Sequence, residues 1–536
     1  MASAGLLPCL LVPLLAGLSR ACPEGCDCFQ REVVCSAEEL AAIPAGLPER
    51  ATDLVLVETS LAALRPGAFG NHSQLAKVVL LNNELRRVEA GAFGGLPGLR
   101  DLEITGSALA GLPGTAFRNL TGLRKLTLNF DSLTGLPEDL FWGLDCLEAL
   151  HLQGNELQGL PEALFRPLGA LRVLNVAQNL LEHVPEGLLA PLGSLELLKL
   201  SDNHLAALPP GLFRGLGGLR ELFLDANRLA ELPPEVFRGL GALERLWLQR
   251  NAIGRLPAGL FSSLANLTFL NLEGNALRAL AGGLFLGTPK LARLSLSHNR
   301  LENVSAGLFG GASGLSVLSL SHNRLGSLPP GLFGPVPRLT ELYLGSNNLT
   351  ALDGGLFRNL SLLEQLSLSH NLLSSLPDGI FDDNFSLFHL ALHGNPWACD
   401  CRLAYLLGWL HEYVEGLFNR QTYCAGPPYL RGQLLPALRP EQLVCPVPLR
   451  AEDEPGGWEP AAEGRAPARC AYSNPEGTVV LACERDACRW LRAQLSARQT
   501  SGTRSLAFNS TQEWLLKSSC GSLRLTISIN ALAGEG

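Results

Sequence analysis

The chain has 536 residues, a formal net charge of −8, one methionine and 6% aromatic residues, and leucine dominates its composition. A single compact enzyme core of this length and composition would be unusual, so a repeat array or several domains is expected. The chain has no long basic block, so it lacks the basic surface with which proteins bind nucleic acid or an anionic membrane.

The first segment has the pattern of a secretory signal peptide. An apolar run over residues 6–18 is followed by Ser19-Arg20-Ala21, which places small residues where a signal peptidase cleaves. We predict cleavage after Ala21, so that residues 1–21 leave the mature chain. Beyond this segment, charges or prolines interrupt every apolar stretch well short of a membrane span. We therefore expect a secreted protein with no membrane partner.

Twelve of the remaining cysteines fall into three groups of four, which indicates disulfides formed in an oxidising compartment. The groups are Cys22, Cys26, Cys28 and Cys35; Cys399, Cys401, Cys424 and Cys445; and Cys470, Cys483, Cys488 and Cys520. Each group allows three pairings, and the sequence does not choose among them. Cys146 is left over, either as an inert thiol or as half of an intermolecular disulfide.

A 24-residue repeat runs from Ala51 to Asn395. Alignment on L-x-x-L-x-L-x-x-N-x-L gives an Asn position that recurs at intervals of 24 or a multiple of 24. The asparagines are Asn83, Asn155, Asn179, Asn203, Asn227, Asn251, Asn275, Asn299, Asn323, Asn347, Asn371 and Asn395. A buried amide can bond backbone groups of adjacent turns, and Thr59 and Ser107 are expected to make half of those bonds. Asp131 fills the remaining slot.

A second ladder, of phenylalanines, shares this period. Its members are Phe69, Phe93, Phe117, Phe141, Phe165, Phe213, Phe237, Phe261, Phe285, Phe309, Phe333, Phe357 and Phe381, with Leu189 in the vacant slot. Leu-x-Leu places both leucines on one face of a short strand, and each turn returns the chain beside the last strand. Proline follows most Asn positions by six residues and disfavours a helix there. The predicted fold class is an α/β-type solenoid, a horseshoe with short parallel concave strands and an irregular convex side.

The predicted domain organisation surrounds this array with smaller elements. Residues 22–50 and 396–448 are predicted as cysteine caps at the ends of the array 51–395. Residues 449–469 are rich in Pro, Gly, Ala and Glu and predict a linker, and residues 470–536 predict a small disulfide-containing β module. The last apolar segment is about ten residues long, too short for a membrane helix, which favours a circulating or matrix protein.

The concave face is the predicted partner-binding surface, because strand residues between the core leucines point there. Phe223 and Trp247 lie one turn apart in the central slot, Phe269 lies on the next strand, and charged and polar side chains surround them. Aromatic residues ringed by charges have the anatomy of a binding hot spot, whereas cross-strand stacking that only stabilises the sheet is the alternative. The candidate set is Phe223, Trp247, Phe269, Arg245, Gln249, Glu221, Asp225, Glu273 and Tyr343.

Eight Asn-x-Ser/Thr sequons indicate an extracellular glycoprotein. The predicted glycosylation sites are Asn71, Asn119, Asn266, Asn303, Asn348, Asn359, Asn384 and Asn509. None of them occupies a concave slot, so glycans are expected to leave that face open.

The sequence predicts no enzyme, metal ion or cofactor. His183 and Glu186 have the H-x-x-E spacing of metallocarboxypeptidase zinc ligands, but no third ligand or general base accompanies them. His298, His322 and His370 recur in Ser-His-Asn and could align imidazoles for a metal, although the repeat alone explains them. No G-x-S-x-G or P-loop motif occurs.

Two family resemblances follow from these strings. The caps, with Asn395-Pro396-Trp397 before the second cysteine group, resemble those of extracellular leucine-rich-repeat proteins. The segments 422–427 and 472–483 resemble the large, non-catalytic subunits of plasma zinc carboxypeptidases. That resemblance implies a glycosylated regulatory subunit that binds a catalytic carboxypeptidase subunit in a hetero-oligomer, stabilises it and keeps it in circulation. The alternative is a secreted recognition or adhesion glycoprotein similar to platelet leucine-rich glycoproteins.

Overall fold

The computed structural model describes residues 22–446, apart from 71 and 413–420, and several strands of the C-terminal tail. The predicted signal peptide lies outside the described residues, and so does nearly all of the predicted linker. Contacts between Cα atoms divide the chain into two units. The first unit is Met1–Ala276 with Gly287–Lys290, and the second unit is Leu277–Leu286 with Leu291–Gly536.

The first unit begins with an antiparallel hairpin and continues as a series of parallel strands. The strands are β1 (Cys26–Phe29), β2 (Glu32–Cys35), β3 (Asp53–Val57), β4 (Ala63–Leu64), β5 (Lys77–Leu81), β6 (Arg87–Val88), β7 (Asp101–Thr105), β8 (Lys125–Asn129), β9 (Ala149–His151), β10 (Val173–Asn175), β11 (Leu197–Lys199), β12 (Glu221–Phe223), β13 (Arg245–Trp247) and β14 (Phe269–Asn271). Hairpin strand β2 pairs in parallel with β3, so the hairpin covers the edge that the first repeat would otherwise expose.

The second unit repeats the same parallel arrangement and then changes character. Its repeat strands are β15 (Ala279–Leu280), β16 (Arg293–Ser295), β17 (Asn303–Val304), β18 (Val317–Ser319), β19 (Glu341–Tyr343), β20 (Gln365–Ser367) and β21 (His389–Ala391). The cap that follows contains β22 (Trp397–Ala398), helix α1 (Ala404–Glu412), β23 (Cys424–Gly426), β24 (Cys445–Pro446) and 3-10 turns at Cys401–Leu403, Leu435–Ala437 and Pro440–Gln442.

The 24-residue period appears directly in the strand register. Leu198 pairs with Leu222 and Leu222 with Leu246 in the first unit, and Leu318 pairs with Leu342 in the second. All of these leucines are buried, while the residues on either side of each are half-buried or exposed. Return segments of both units consist of turns and two-residue strands such as β4 and β6. The predicted solenoid with parallel strands and an irregular opposite side is confirmed.

The Asn ladder connects each turn to the one before it. In the first unit, Asn227 Nδ2 donates to the carbonyl oxygens of Leu200 (2.9 Å) and Leu224 (3.2 Å), while its Oδ1 accepts from Leu205 N (3.1 Å). In the second unit, Asn347 makes the equivalent contacts at 3.0 to 3.1 Å. The amide thus satisfies backbone groups of two turns at once, which stacking would otherwise leave buried and unpaired.

The slots without asparagine behave unequally. Thr59 Oγ1 donates to Asn83 Oδ1 (2.6 Å), as expected. Ser107 is different, because only its backbone N reaches the next turn, at Asp131 Oδ1 (2.7 Å), and its buried hydroxyl has no partner in the structure. The expectation that Ser107 makes half of the amide bonds is therefore wrong, since its hydroxyl bonds no backbone group in the structure.

Asp131 carries the clearest electrostatic cost in the array. Its side chain is buried, its Oδ2 has no hydrogen-bond partner in the structure, and burial raises its pKa from 3.8 to about 7 despite the bond from Ser107 N. An ionised carboxylate at this position lacks the donor that asparagine supplies elsewhere in the ladder.

The Phe ladder forms the core on the side opposite the strand leucines. Ring centroids of successive members lie 5.7 to 6.3 Å apart in each unit, for example Phe213 and Phe237 in the first and Phe333 and Phe357 in the second. Leu189, in the vacant slot, is also buried. The rings stack at the spacing of neighbouring turns, so each turn buries its ring against the next.

Disulfides close both cysteine groups that flank the array. Cys22 pairs with Cys28 and Cys26 with Cys35, next to the β1–β2 hairpin. Cys399 pairs with Cys424 and Cys401 with Cys445 in the cap after β21. The predicted grouping is confirmed for these eight cysteines, and the structure supplies the pairings that the sequence left open.

The C-terminal tail contains antiparallel strands. They are β25 (Arg469–Ser473), β26 (Thr478–Glu484), β27 (Leu491–Ala493), β28 (Trp514–Leu516) and β29 (Ser522–Ser528). Strand β26 lies between β25 and β29, and Cys470 and Cys483 face each other in the β25–β26 register. Cys488 and Cys520 lie outside the described residues, so the disulfides of the tail stay a prediction.

Candidate functional site

An aromatic cluster lies on the solvent side of the strands in the first unit. We call Phe223, Trp247 and Phe269 the aromatic strand patch. Phe223 on β12 is directly opposite Trp247 on β13, because the 24-residue register places every central slot beside the next. Phe269 begins β14 and lies diagonally from Trp247 across the strand pair. All three side chains are half-buried.

The rings of the aromatic strand patch contact each other closely. The centroids of Phe223 and Trp247 are 3.8 Å apart with the planes 8° from parallel, and those of Trp247 and Phe269 are 5.2 Å apart at 42°. Lys199 Nζ lies 5.0 Å from the Phe223 centroid, within range of a cation–π contact. Stacking fixes the side-chain rotamers, so these rings present apolar area with little ordering entropy left to lose.

Charged pairs border the patch on both sides. Arg245 Nη1 lies 3.8 Å from Glu221 Oε1, and Arg250 Nη2 lies 3.7 Å from Asp225 Oδ2. Asp225 is buried and also accepts a hydrogen bond from Ser201 Oγ (2.5 Å). The two arginines are exposed and their contacts are long, so the pairs contribute little to stability, but they set a polar rim around the rings.

Gln249 and Glu273 complete the rim. The Oε1 atom of Gln249 is buried and has no hydrogen-bond partner in the structure. The backbone N of Glu273 donates to Asn271 Oδ1 (2.9 Å), which fixes the turn after β14. An unsatisfied buried acceptor costs on the order of 1–3 kcal/mol.

Tyr343 belongs to the second unit and has its own environment. Its hydroxyl lies 2.7 Å from Glu341 Oε2 and 3.2 Å from Gln365 Oε1. Burial, followed by the hydrogen bond and charge of Glu341, raises the pKa of Tyr343 to about 12. The structure therefore brings together eight of the predicted partner-binding residues in one unit and places the ninth, Tyr343, in the other.

Comparison with protein families identifies the repeat. The model described as "Leucine rich repeat" matches residues 49–109, 97–157, 147–205, 169–229, 195–253, 217–277, 289–349 and 337–396. The chain belongs to the leucine-rich-repeat family.

Among curated proteins, this leucine-rich-repeat chain is 56% identical over 163 residues to Carboxypeptidase N subunit 2 of Homo sapiens and 55% identical to that of Mus musculus. The alignments cover 28% of this chain and 30% of each relative, so the match spans less than a third of the relatives' length. The Platelet glycoprotein Ib beta chain of Homo sapiens is 46% identical over 61 residues, 11% of this chain and 30% of that one.

Solved structures share the fold. A crystal structure of a TLR13–ssRNA13 complex aligns with a TM-score of 0.63 and 27% identity, covering 73% of this chain and 57% of that one. The glycosylated Toll–Spatzle complex of Drosophila aligns with a TM-score of 0.64 and 24% identity, covering 82% and 62% respectively. This second likeness shows the fold alone.

Three polar residues that contact the patch or its charged rim were missed by the sequence reasoning. Lys199, Ser201 and Arg250 contact Phe223 or Asp225, yet none of them was in the candidate set. The leucine-rich-repeat register carried a signal for Lys199, which occupies the central slot 24 residues before Phe223. Arg250 could not be assigned in this way, because its contact depends on the rotamer of a long side chain.

The sequons differ in accessibility. Asn119, Asn303, Asn348 and Asn359 are exposed, whereas Asn266 is half-buried and donates from Nδ2 to Gly241 O (2.8 Å). Asn384 is only 4% exposed, and its Nδ2 donates to the carbonyls of Phe357 and Leu360. The predicted glycan at Asn384 is therefore contradicted, because the side-chain nitrogen that would carry it is buried and donates to two backbone carbonyls. Asn71 and Asn509 lie outside the described residues.

The remaining chemical candidates do not converge. Within the described part of the chain, no group of three or more His, Cys, Asp or Glu side chains could hold a metal ion. His183 and Glu186 are exposed turn residues of a leucine-rich repeat. Cys146 is an exposed free thiol. No helix among the described residues is long and apolar enough to cross a membrane.

Proposed function

We propose that this leucine-rich-repeat chain is a secreted, non-catalytic regulatory subunit that binds the catalytic subunit of a plasma zinc carboxypeptidase. In this role it stabilises the catalytic subunit and keeps it in circulation. The observation that carries the proposal is the 56% identity over 163 residues to human Carboxypeptidase N subunit 2. A repeat alone would support protein binding without naming a partner.

The aromatic strand patch is the proposed centre of the contact with the catalytic subunit. Tryptophan and other large aromatic residues dominate binding hot spots, particularly where polar groups exclude water around them. Phe223 and Trp247 offer a preformed stack, and the ion pairs of Glu221 and Asp225 form the rim. Of the six predicted sequons with described structure, Asn303 begins the two-residue strand β17, and the other five lie outside the strands.

A second candidate function is that of a secreted recognition or adhesion glycoprotein. The 46% identity over 61 residues to the human Platelet glycoprotein Ib beta chain favours it. The two functions differ in the partner that accompanies the chain, because only the first requires a carboxypeptidase in stoichiometric association.

Native co-purification from plasma, followed by mass spectrometry, tests the proposal. We expect a carboxypeptidase to be recovered with the chain in a fixed ratio. Recovery of the chain alone, or with a cell-surface receptor in place of the enzyme, would overturn it.

A thermal inactivation assay tests the stabilising role separately. A purified catalytic carboxypeptidase is heated alone, with the chain, and with a chain carrying Phe223→Ala and Trp247→Ala. We expect the chain to lengthen the half-life of the activity and the double variant to lose that effect. Phe29→Ala, which removes an exposed ring of the β1–β2 hairpin, is the matched control. Equal half-lives with and without the chain would contradict the proposal.

A further inference from the structure

A cavity of about 390 Å³ lies in the second unit between the last repeat and helix α1. Its walls are aromatic. Phe381 and Trp409 contact each other with centroids 5.1 Å apart, Tyr405 joins them from α1, and Phe385 is 81% exposed. A phenylalanine this exposed leaves its apolar surface in contact with water, and a bound group would cover that surface.

The polar atoms of the cavity that can meet a ligand are predominantly acceptors. Asp382 and Glu412 contribute carboxylates, and no lysine, arginine or histidine is among the described residues that line the cavity. Neither carboxylate forms an ion pair with any basic residue in the described part of the chain. Among the described residues, the cavity therefore places two carboxylates beside aromatic faces without a basic side chain to compensate them.

Hydrogen bonds hold two of these acceptors in place. Tyr405 hydroxyl donates to Asp382 Oδ1 (2.8 Å) and accepts from Phe381 N (3.1 Å). Asn384 Nδ2 donates to two backbone carbonyls at 3.1 and 3.0 Å, which fixes the amide orientation and assigns its other atom as oxygen. That oxygen, Asn384 Oδ1, is buried and has no hydrogen-bond partner in the structure. Asn384 thus adds a preoriented, unsatisfied acceptor to a cavity that already holds two carboxylates.

We propose that this cavity binds the guanidinium group of an arginine side chain presented by a partner protein. A guanidinium is planar and always charged, it stacks on aromatic faces, and its five N–H groups serve several separated acceptors at once. An ammonium group would match the charge, but it is not planar and cannot stack on the aromatic walls of the cavity. The site lies entirely in the second unit and uses no residue of the aromatic strand patch.

Binding of blocked tripeptides to the full-length protein, followed by saturation-transfer NMR, tests the proposal. The probes are acetyl-Gly-Arg-Gly-amide, its lysine counterpart, and the citrulline counterpart, which keeps the planar shape but has no charge. We expect saturable binding of the arginine peptide with a Kd on the order of millimolar, and at least about tenfold weaker binding of the other two. Equal binding of the citrulline peptide would overturn the role of charge, and equal binding of the lysine peptide would overturn the guanidinium assignment.

Variants of the full-length chain locate the binding in this cavity. Glu412→Gln removes one carboxylate, and Phe385→Ala removes an exposed ring whose loss does not endanger folding. Each is expected to weaken arginine-peptide binding by about tenfold, which corresponds to about 1.4 kcal/mol. Glu441→Gln removes an equal charge from an exposed position of the same cap and is expected to leave the Kd within about twofold. If both test variants match this control, or if the arginine peptide shows no saturable binding, the proposal is wrong.

Discussion

The strand faces of the two units share one backbone and carry different chemistry. In the first unit the central slots hold Lys199, Phe223 and Trp247, whose side chains stack on one another. In the second unit the central slots include Ser295, Ser319 and Ser367, and Tyr343 lies between Ser319 and Ser367 in the strand register. The repeat therefore determines where each side chain lies, while the identity of the slot residues determines what each face can bind.

The second strand face forms a network of hydroxyl and imidazole groups. Ser297 and Ser319 hydroxyls lie 2.6 Å apart, and those of Ser367 and Ser369 lie 3.1 Å apart. The rings of His298 and His322 stack with centroids 4.1 Å apart. Hydroxyls that bond one another have less to gain from a partner than half-exposed rings, so we expect the first face to bind a partner protein more strongly than the second.

The largest expected effect tests whether the Phe ladder stabilises each unit to the same extent, although the strand faces of the units differ. Phe237→Ala and Phe333→Ala each remove a fully buried ladder ring, one in each unit. Both variants are expected to lose about 3–5 kcal/mol of unfolding free energy, because each leaves a cavity in a closely packed stack. Urea unfolding monitored by circular dichroism measures the loss. A loss in one unit less than half that in the other would show that the cores are not equivalent.

The next prediction concerns Asp131, the acidic member of an otherwise amide ladder. Its folded pKa of about 7 lies above the unfolded value of 3.8, so the folded chain binds more protons and ionisation destabilises it. The penalty is absent below the unfolded pKa, grows through the window between the two values and is complete above the folded pKa.

Asp131→Asn should therefore raise the unfolding free energy above pH 7 by on the order of 3 kcal/mol and have little effect below the unfolded pKa. In the next turn, Asn155 Nδ2 donates to Leu128 O (2.8 Å). Asparagine at position 131 would supply an equivalent side-chain donor. Denaturant unfolding at several pH values, with exposed Glu138→Gln as control, measures the difference. A gain that does not depend on pH would rule out the buried carboxylate as its cause.

A smaller effect is expected for partner binding, and it tests the difference between the faces directly. Phe223→Ala with Trp247→Ala should weaken binding of the catalytic carboxypeptidase subunit by about a hundredfold, or about 2.7 kcal/mol. Ser319→Ala with Ser367→Ala in the second unit should change the Kd by less than about twofold. Biolayer interferometry would measure both constants. The reverse ranking would move the binding surface to the second face.

The smallest prediction concerns Tyr343, the aromatic residue of the serine-rich face. Tyr343→Phe removes the hydroxyl that bonds Glu341, and we expect a loss of about 1 kcal/mol in unfolding free energy at neutral pH. Tyr423→Phe, at an exposed position, is the control. No difference between the two variants would mean that the Glu341 bond contributes nothing to the second unit.

Much of the fold followed from the sequence because its signals are periodic. Leucine, phenylalanine and asparagine at fixed register predicted the buried strands, the stacked rings and the backbone-bonding amides, and the structure has all three. The cysteine groups around the array were predicted as disulfides because their members are clustered. Residues clustered at the ends of a stack are close in any fold of that stack.

Predictions failed where a side chain's neighbours decided the outcome. Asn384 matched a sequon, but it occupies the slot that Leu360 fills one turn earlier, which is a buried position. That register was a usable signal of burial. For Ser107, the sequence indicated a hydroxyl at the right slot but not that this hydroxyl is buried without a hydrogen-bond partner.

The amino-acid sequence alone determined the repeat, the core and the set of slots on the strand face, because each depends on spacing along the chain. Only the tertiary structure showed that Phe223 stacks on Trp247 at 3.8 Å, that Tyr343 belongs to a different unit, and that α1 encloses an acidic aromatic cavity with Asp382. Those features depend on rotamers and on packing between segments without a common period, and no spacing rule specifies either.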